Sequence, residues 1–525
     1  MTTTIRPGGE PADIGAAVRE SPAPATLHVA RRALVAAALL GVAGDVLLRD
    51  GMQGVGFPLF VAALLGALGW LARARRAPWT LGACLLVAPV LWFSLALAWR
   101  DSGALAFYDL LALGAALAAL STALLRGADW EPAAGIGEYV RAAGSTAKQV
   151  AGGAGLLLLR DGDVREMRGQ GASRHAGAVA RGAVLAMPLL FVFGSLLTAA
   201  DPLFDRLVRR VIFFDLDTAV SHAAVALCVA WLAGGYLRSA LLAAEPAAPR
   251  AARARVSLGV VEVALVLGLL DALFLGFVVV QLRYLFGGAA HVAATAGMTY
   301  AEYARAGFFE LVWVAALSLP TLLAANGLLR REGARDERVF RALAGALLLL
   351  LGVVMLSAMQ RMRLYQREYG LTETRLFASA AMGWLALVFA WFAATVLRGR
   401  AAPFAFGALL SAWLVVAALD VANPDALIAR TNVARLAGGA RELDGSYLAS
   451  LSADAAPAVA EAFPSMPAKW SCAVASSLLA ELRPERSWTA WNLGRARARR
   501  AIAPHAAALR ALPCADRSTR AVASP

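Results

Sequence analysis

Apolar runs of bilayer-crossing length recur along most of the chain, at about 33–49, 54–72, 79–99, 103–125, 180–200, 221–242, 257–282, 301–329, 340–364, 372–397 and 403–420. A helix needs about 20 such residues to cross the hydrocarbon layer, where each backbone N–H and C=O must find its partner within the segment. Runs of this kind in succession exclude an ordinary soluble globule. They predict an all-α, polytopic transmembrane bundle of about 11 spans, with residues 33–420 as the membrane domain. Hydrophobic residues make up 60% of the 525 and charged residues 16%, which agrees with that class. The formal charge of +14 raises the question of nucleic acid, but the arginines lie mostly between the apolar runs, where they anchor loops at a membrane surface. The expected partner is therefore the lipid bilayer, with no nucleic acid.

Residues 1–32 are polar and rich in Pro, Gly and Ala, which predicts a disordered cytoplasmic tail without a cleavable leader. Arg73, Arg75, Arg76, the basic stretch from Arg126 to Arg181, Arg250, Arg253, Arg255, Arg330, Arg331, Arg335, Arg338, Arg398 and Arg400 all fall in alternate loops. By the positive-inside rule those loops are cytoplasmic, the N-terminus is inside and the C-terminus outside. Residues 135–168 read as an amphipathic helix on the inner leaflet or as a solvated connector, and 201–217 as a short interfacial helix on the outside. From Asn423 the apolar runs stop and short helical stretches alternate with Gly and Pro, so 421–525 reads as a small extracytoplasmic α-helical domain. It holds Cys472 and Cys514, while Cys84 and Cys228 lie in spans; an even pair in an exported domain reads as a disulfide, with two free thiols as the alternative.

Polar groups inside the apolar runs mark the candidate site, because an ionisable side chain there costs about 2.5–3.5 kcal/mol and must face protein or water. Thr299 and Glu302 have the spacing of a capping box, a structural role. Behind them come Tyr300, Tyr303, Arg305 and Glu310, with Tyr303, Gly307 and Glu310 on one helical face. Asp271 and Gln281 lie in the preceding apolar run, and Gln360 and Arg361 in the following one. Arg361, Tyr365 and Tyr369 repeat at i, i+4 and i+8, so a pair between Glu310 and Arg361 is the expectation, with Asp271 as competing partner. Thr372 is placed to cap the next helix. Asp45, Asp109 and Asp420 stand near the ends of runs and read as snorkelling or capping residues.

The run TYAEYARAGFFEL (Thr299 to Leu311), preceded by QLRYLFGG (Gln281 to Gly288), is joined by RMRLYQREYGLTETRLF (Arg361 to Phe377), NPDALIARTNVAR (Asn423 to Arg435) and LDGSYLASLSADAAPA (Leu443 to Ala458). This set resembles the bacterial membrane proteins grouped as domain-of-unknown-function family 4173, related to family 4153, over roughly Ala180 to Pro464. The resemblance implies an integral protein of the bacterial cytoplasmic (inner) membrane and supplies no activity. Ala306 departs from the pattern, where a second basic residue is expected after Arg305.

No Walker A lysine motif, HExxH, CxxC or G-x-S-x-G elbow occurs, and the five histidines lack ligand spacing. No cofactor, metal or catalytic residue is expected from these patterns, and enzymatic activity is left unassigned. Three function classes fit. The first is a transporter or permease using buried carboxylates as proton or cation sites. The second is a non-enzymatic envelope sensor or scaffold whose outer domain binds an envelope protein partner. The third is a membrane enzyme acting on lipid or cell-wall precursor, with Glu302 or Glu310 as general base and Arg305 on phosphate.

Overall fold

The computed structural model describes residues 24–77, 79–126, 136–161, 197, 201, 216–243, 257–296, 308–437 and 444–514. Its membrane part is built from α1 (Pro24–Leu48), α2 (Gly56–Arg75), α3 (Leu81–Trp99), α4 (Gly103–Arg126), α5 (Ile136–Leu156), α6 (Leu216–Leu241), α7 (Val260–Ala296), α8 (Phe308–Leu328), α9 (Ala334–Tyr369), α10 (Glu373–Thr395) and α11 (Phe404–Ala422). The only bridge pairing among the described residues is the isolated contact of Leu258 with Leu329.

Nine of the described helices are long and apolar enough to cross a membrane: α2–α4 and α6–α11. They present Leu81, Leu265, Leu269, Trp313, Leu349 and Leu356 outward, a large apolar exterior that only a lipid solvent stabilises. The 33–49 run lies in α1, which starts at Pro24, so residues 24–32 are helical rather than tail. The 180–200 run and nearly all of the 201–217 helix fall outside the described residues.

Two apolar cores organise the bundle. One joins α1–α4 and α6, and the other joins α7–α10 with the start of α11. In the first, α1 lies close along α6 because Gly41 and Gly44 remove side chains at the contact; a Cβ on Gly44 would come within 2.5 Å of Val229 Cγ1. The α5 segment is a helix docked on α6, with Gly153 against Gly235 and the buried Arg238 donating to Asp161 (2.5 Å) and Gln149 (2.6 Å). It is neither a free connector nor a helix lying alone on a leaflet. The seam between the cores is α11. Trp413 sits in the first core and donates its indole N–H to the Ala112 carbonyl of α4 at 3.2 Å, while Phe404 sits in the second.

Consecutive antiparallel helices place the loops at 49–55, 100–102 and 370–372 and the end of α11 at one end of the bundle. The C-terminal helices cover that end: α12 (Pro424–Ala437), α13 (Gly445–Ser450), α14 (Ala456–Ala462), α15 (Ala468–Glu481), α16 (Leu493–Ile502) and α17 (Ala506–Arg510). They share a core of their own that includes Leu448, Val459, Val474, Leu478 and Ile502. Cys472 of α15 and Cys514 are joined by a disulfide, with Cα atoms 5.4 Å apart. The opposite end carries Arg73, Arg75, Arg76, Arg330, Arg331, Arg335, Arg338, Arg398 and Arg400.

One clamp shows how firmly the C-terminal helices are tied down. The Asn432 side chain of α12 accepts from the Leu371 amide and donates to the Leu371 carbonyl, both at 2.8 Å. Gly370 precedes it with φ of +79°, and a Cβ there would lie 2.5 Å from Asn432 Oδ1. Asn432→Ala leaves a buried amide and carbonyl without partners, so a loss of about 2–3 kcal/mol in denaturant titration is expected. A change within experimental error would show that water replaces the amide.

Candidate functional site

The junction between the bundle and the C-terminal helices is assembled from residues that sit at helix ends in the sequence and become buried once those helices dock. α11 ends with its last carbonyls unpaired within the helix, as every helix does. Arg100, just past α3 and 5% exposed, fills that gap: its Nε donates to the Asp420 carbonyl at 2.7 Å and its Nη2 to that of Val421 at 3.3 Å. A cation at this end also complements the helix dipole. Its ring-stacked position 4.3 Å over Trp99 and its Nη1, 3.8 Å from Asp454 Oδ1, complete its surroundings.

Asp454 and Asp101 exchange backbone contacts across the junction. The Asp101 amide donates to Asp454 Oδ2 at 2.7 Å, and the Ala453 amide donates to Asp101 Oδ2 at 3.3 Å. Arg495 of α16 lies 3.5 Å from Asp101 and also donates to the Gln53 carbonyl. The buried Asn492 amide donates to the Leu97 carbonyl at 3.1 Å and the Arg100 carbonyl at 2.9 Å. Burial pushes the Asp101 carboxyl up to about 6, against the opposing pull of Arg495, and burial likewise raises that of Asp454. Below pH 4 Asp101 is protonated in both folded and unfolded chains. Between about pH 4 and 6 the folded chain holds the extra proton, so this group's contribution falls as pH rises, by about 1–3 kcal/mol in all. Thermal unfolding of wild type and Asp101→Asn between pH 4.5 and 7.5 should show the wild-type advantage shrinking upward; an advantage growing with pH contradicts the assignment.

Directly beneath, Asp420 of α11 and Asp109 of α4 meet side chain to side chain on the seam, 0% and 1% exposed. The Trp92 indole of α3 donates to Asp420 Oδ2 at 2.8 Å, while Oδ1 of each aspartate is buried without a hydrogen-bond partner among the described residues. These are not snorkelling residues. Their nearness to helix ends suggests water within reach, but the α4–α11 contact, Trp92 and Arg100 enclose them. On the same seam, Tyr108 stacks on Phe377 of α10 with ring centroids 5.1 Å apart.

A family model, described as Domain of unknown function (DUF4153), matches residues 33–462. The chain belongs to that family. No curated protein and no solved structure matches it. The DUF4153 stretch contains Arg100, Asp101, Asp109, Asp420 and Asp454, whereas Asn492, Arg495 and both disulfide cysteines lie beyond it.

Within the DUF4153 stretch, the residues singled out from the sequence separate into groups. Thr299, Tyr300, Glu302, Tyr303 and Arg305 lie outside the described residues. Glu310 is exposed in the first turn of α8, and among the described residues no ion pair or hydrogen bond joins it to Arg361. Arg361 is half-buried and engaged, and Gln360 is exposed. Asp271 is half-buried in α7 with neither carboxylate oxygen bonded to a described group. Gln281 accepts from Ser357 Oγ at 2.5 Å, tying α7 to α9. Tyr365 and Tyr369 pack edge to face at 5.2 Å, and Arg375 lies 4.0 Å over Tyr365 while donating to the Tyr369 and Gly370 carbonyls. Thr372 caps α10 by accepting from the Arg375 amide at 3.5 Å.

Three of the motif runs, 361–377, 423–435 and 443–458, meet in space. Asn432 holds Leu371, Arg435 donates to the Glu368 carbonyl at 2.6 Å, and Tyr447 accepts from the Glu373 amide at 2.8 Å. Sequence reasoning missed Arg100, Asp101 and Asn492, whose polar roles appear only on docking. Asp454 and Asn432 carried a signal, because they lie in the quoted runs.

Proposed function

We propose that the chain is a permease-like bacterial inner-membrane protein in which Asp109 and Asp420 form a proton or cation site. The observation that carries this reading is the pair itself: two fully buried carboxyls in contact on the seam between two apolar cores. Both ionised, they would repel strongly in a low-dielectric setting, and a proton or a cation between them removes that repulsion. Arg100 is committed to backbone carbonyls at the end of α11. Intramembrane acids of this kind mark ion pathways, and sites between packed halves of a bundle suit alternating exposure.

The arginine-rich end lies opposite the C-terminal helices, which by the positive-inside rule favours an N-terminus inside and a C-terminal domain, 421–525, outside. A disulfide in that domain fits an oxidising compartment. Closer kinship with family 4173 rests on the motif runs quoted above.

The test is chemical modification. N,N′-dicyclohexylcarbodiimide attacks protonated carboxyls in apolar surroundings, so the purified protein should be labelled at Asp109 or Asp420, with loss of label in Asp109→Asn and Asp420→Asn and protection by the transported cation or by high pH. Labelling of other acids with this pair untouched at every pH overturns the reading.

A further inference from the structure

A second, separate site lies at the outer end of α11. A cavity of about 480 Å³ opens between α11, α12, α14 and α16, and its lining includes Asn423, Arg430, Asp454, Gly494, Arg497 and Arg500. Arg497 and Arg500 stand three apart on α16 and so share a face, and Arg430 reaches the same cavity from α12. All three are exposed, and none makes a hydrogen bond or ion pair among the described residues.

The same helix supplies the comparison. On another face of α16, Arg499 pairs with Glu485 at 2.9 Å, and Arg495 lies 3.5 Å from Asp101 and 3.8 Å from Glu485. Both arginines of that face pair with a carboxylate, while on the cavity face Arg500 pairs with none and Arg497 acts on Asp454 only through its field, without a direct ion pair. The one acid in the lining, Asp454, is already held by the Asp101 amide at 2.7 Å and has Arg100 at 3.8 Å. Three guanidiniums around one concavity repel each other unless an anion joins them. Guanidinium forks match phosphate oxygens two at a time, and the volume suits a headgroup-sized ligand.

We propose that this cavity binds a phosphate-bearing anion through Arg430, Arg497 and Arg500. The site begins where α11 leaves the bundle, at Asn423, so a lipid headgroup and a soluble phosphate compound both have access. This inference stands apart from the carboxyl pair and needs no transport activity.

The test uses the full chain in neutral detergent with two arms at matched ionic strength. In one, inorganic phosphate and pyrophosphate are titrated against thermal stability and heat of binding. In the other, the protein is placed in phosphatidylcholine nanodiscs with and without phosphatidic acid, and bound lipid is counted by native mass spectrometry. Each of Arg430→Gln, Arg497→Gln and Arg500→Gln should weaken binding about tenfold. Arg483→Gln, which removes one exposed charge outside the cavity, should leave it unchanged. Saturable binding in the first arm identifies a soluble phosphate ligand, and in the second a lipid headgroup. No binding in either arm, or binding that survives loss of all three arginines, overturns the proposal. Because the three side chains are exposed and make no ion pair, their removal leaves the fold intact, which a thermal unfolding midpoint without ligand equal to that of wild type would verify.

Discussion

Arg100→Met should destabilise the docked C-terminal helices by about 3–5 kcal/mol, the usual cost of leaving a buried partner charge uncompensated. The side chain is 5% exposed, and its loss would strip the α11 carbonyls at Asp420 and Val421 of their donors while leaving Asp454 facing an apolar side chain. Removing the acid as well should recover part of the loss, so Arg100→Met with Asp454→Asn should be milder than the two single effects added. Tryptophan fluorescence in a denaturant titration reads this directly, since Trp92 and Trp99 flank the site. Strict additivity of the single substitutions would mean that the two side chains do not act on each other.

Cys472→Ser should cost about 4 kcal/mol, given the separation of 42 residues along the chain and the entropy of closing a loop of that size. The effect should fall on α15–α17, whose small core has few residues to hold it against the bundle. Limited proteolysis of the variant should release C-terminal fragments while the membrane helices stay protected. The other two cysteines, Cys84 and Cys228, are free and exposed on spans, so serine replacements there give a background in which only the bonded pair can react with thiol reagents. Recovery of both remaining thiols as alkylated peptides from protein trapped before lysis would contradict the bond.

The membrane class was legible because hydropathy acts over whole segments: Leu265, Leu269 and Leu349 face outward as readily as core residues face in. The polar sites were harder to read. Asp109 sits in the second turn of α4 and Asp420 two residues before the end of α11, positions from which a side chain ordinarily reaches water. What buries them is their meeting across α4 and α11, with Trp92 of α3 and Arg100 against Asp420, long-range contacts that no local pattern reports. Glu310 shows the reverse case. A pair with Arg361 is expected of it, yet it is exposed and no ion pair or hydrogen bond joins the two among the described residues. Thr372 was read from a local rule and found as a cap, because capping depends only on neighbours in the chain.

Ion flux through the purified chain in liposomes under an imposed potassium diffusion potential tests whether the Asp109–Asp420 pair carries an ion. Internal pH and radioactive sodium uptake are followed together, with wild type, Asp109→Asn and Asp420→Asn verified as folded by matching size-exclusion profiles and thermal unfolding. Wild type is expected to carry protons or sodium above protein-free liposomes, and each substitution to lower that flux at least about tenfold, since each removes one of the two carboxyls that hold the ion. Equal flux in wild type and both variants, or wild-type flux no greater than that of empty liposomes, would contradict it.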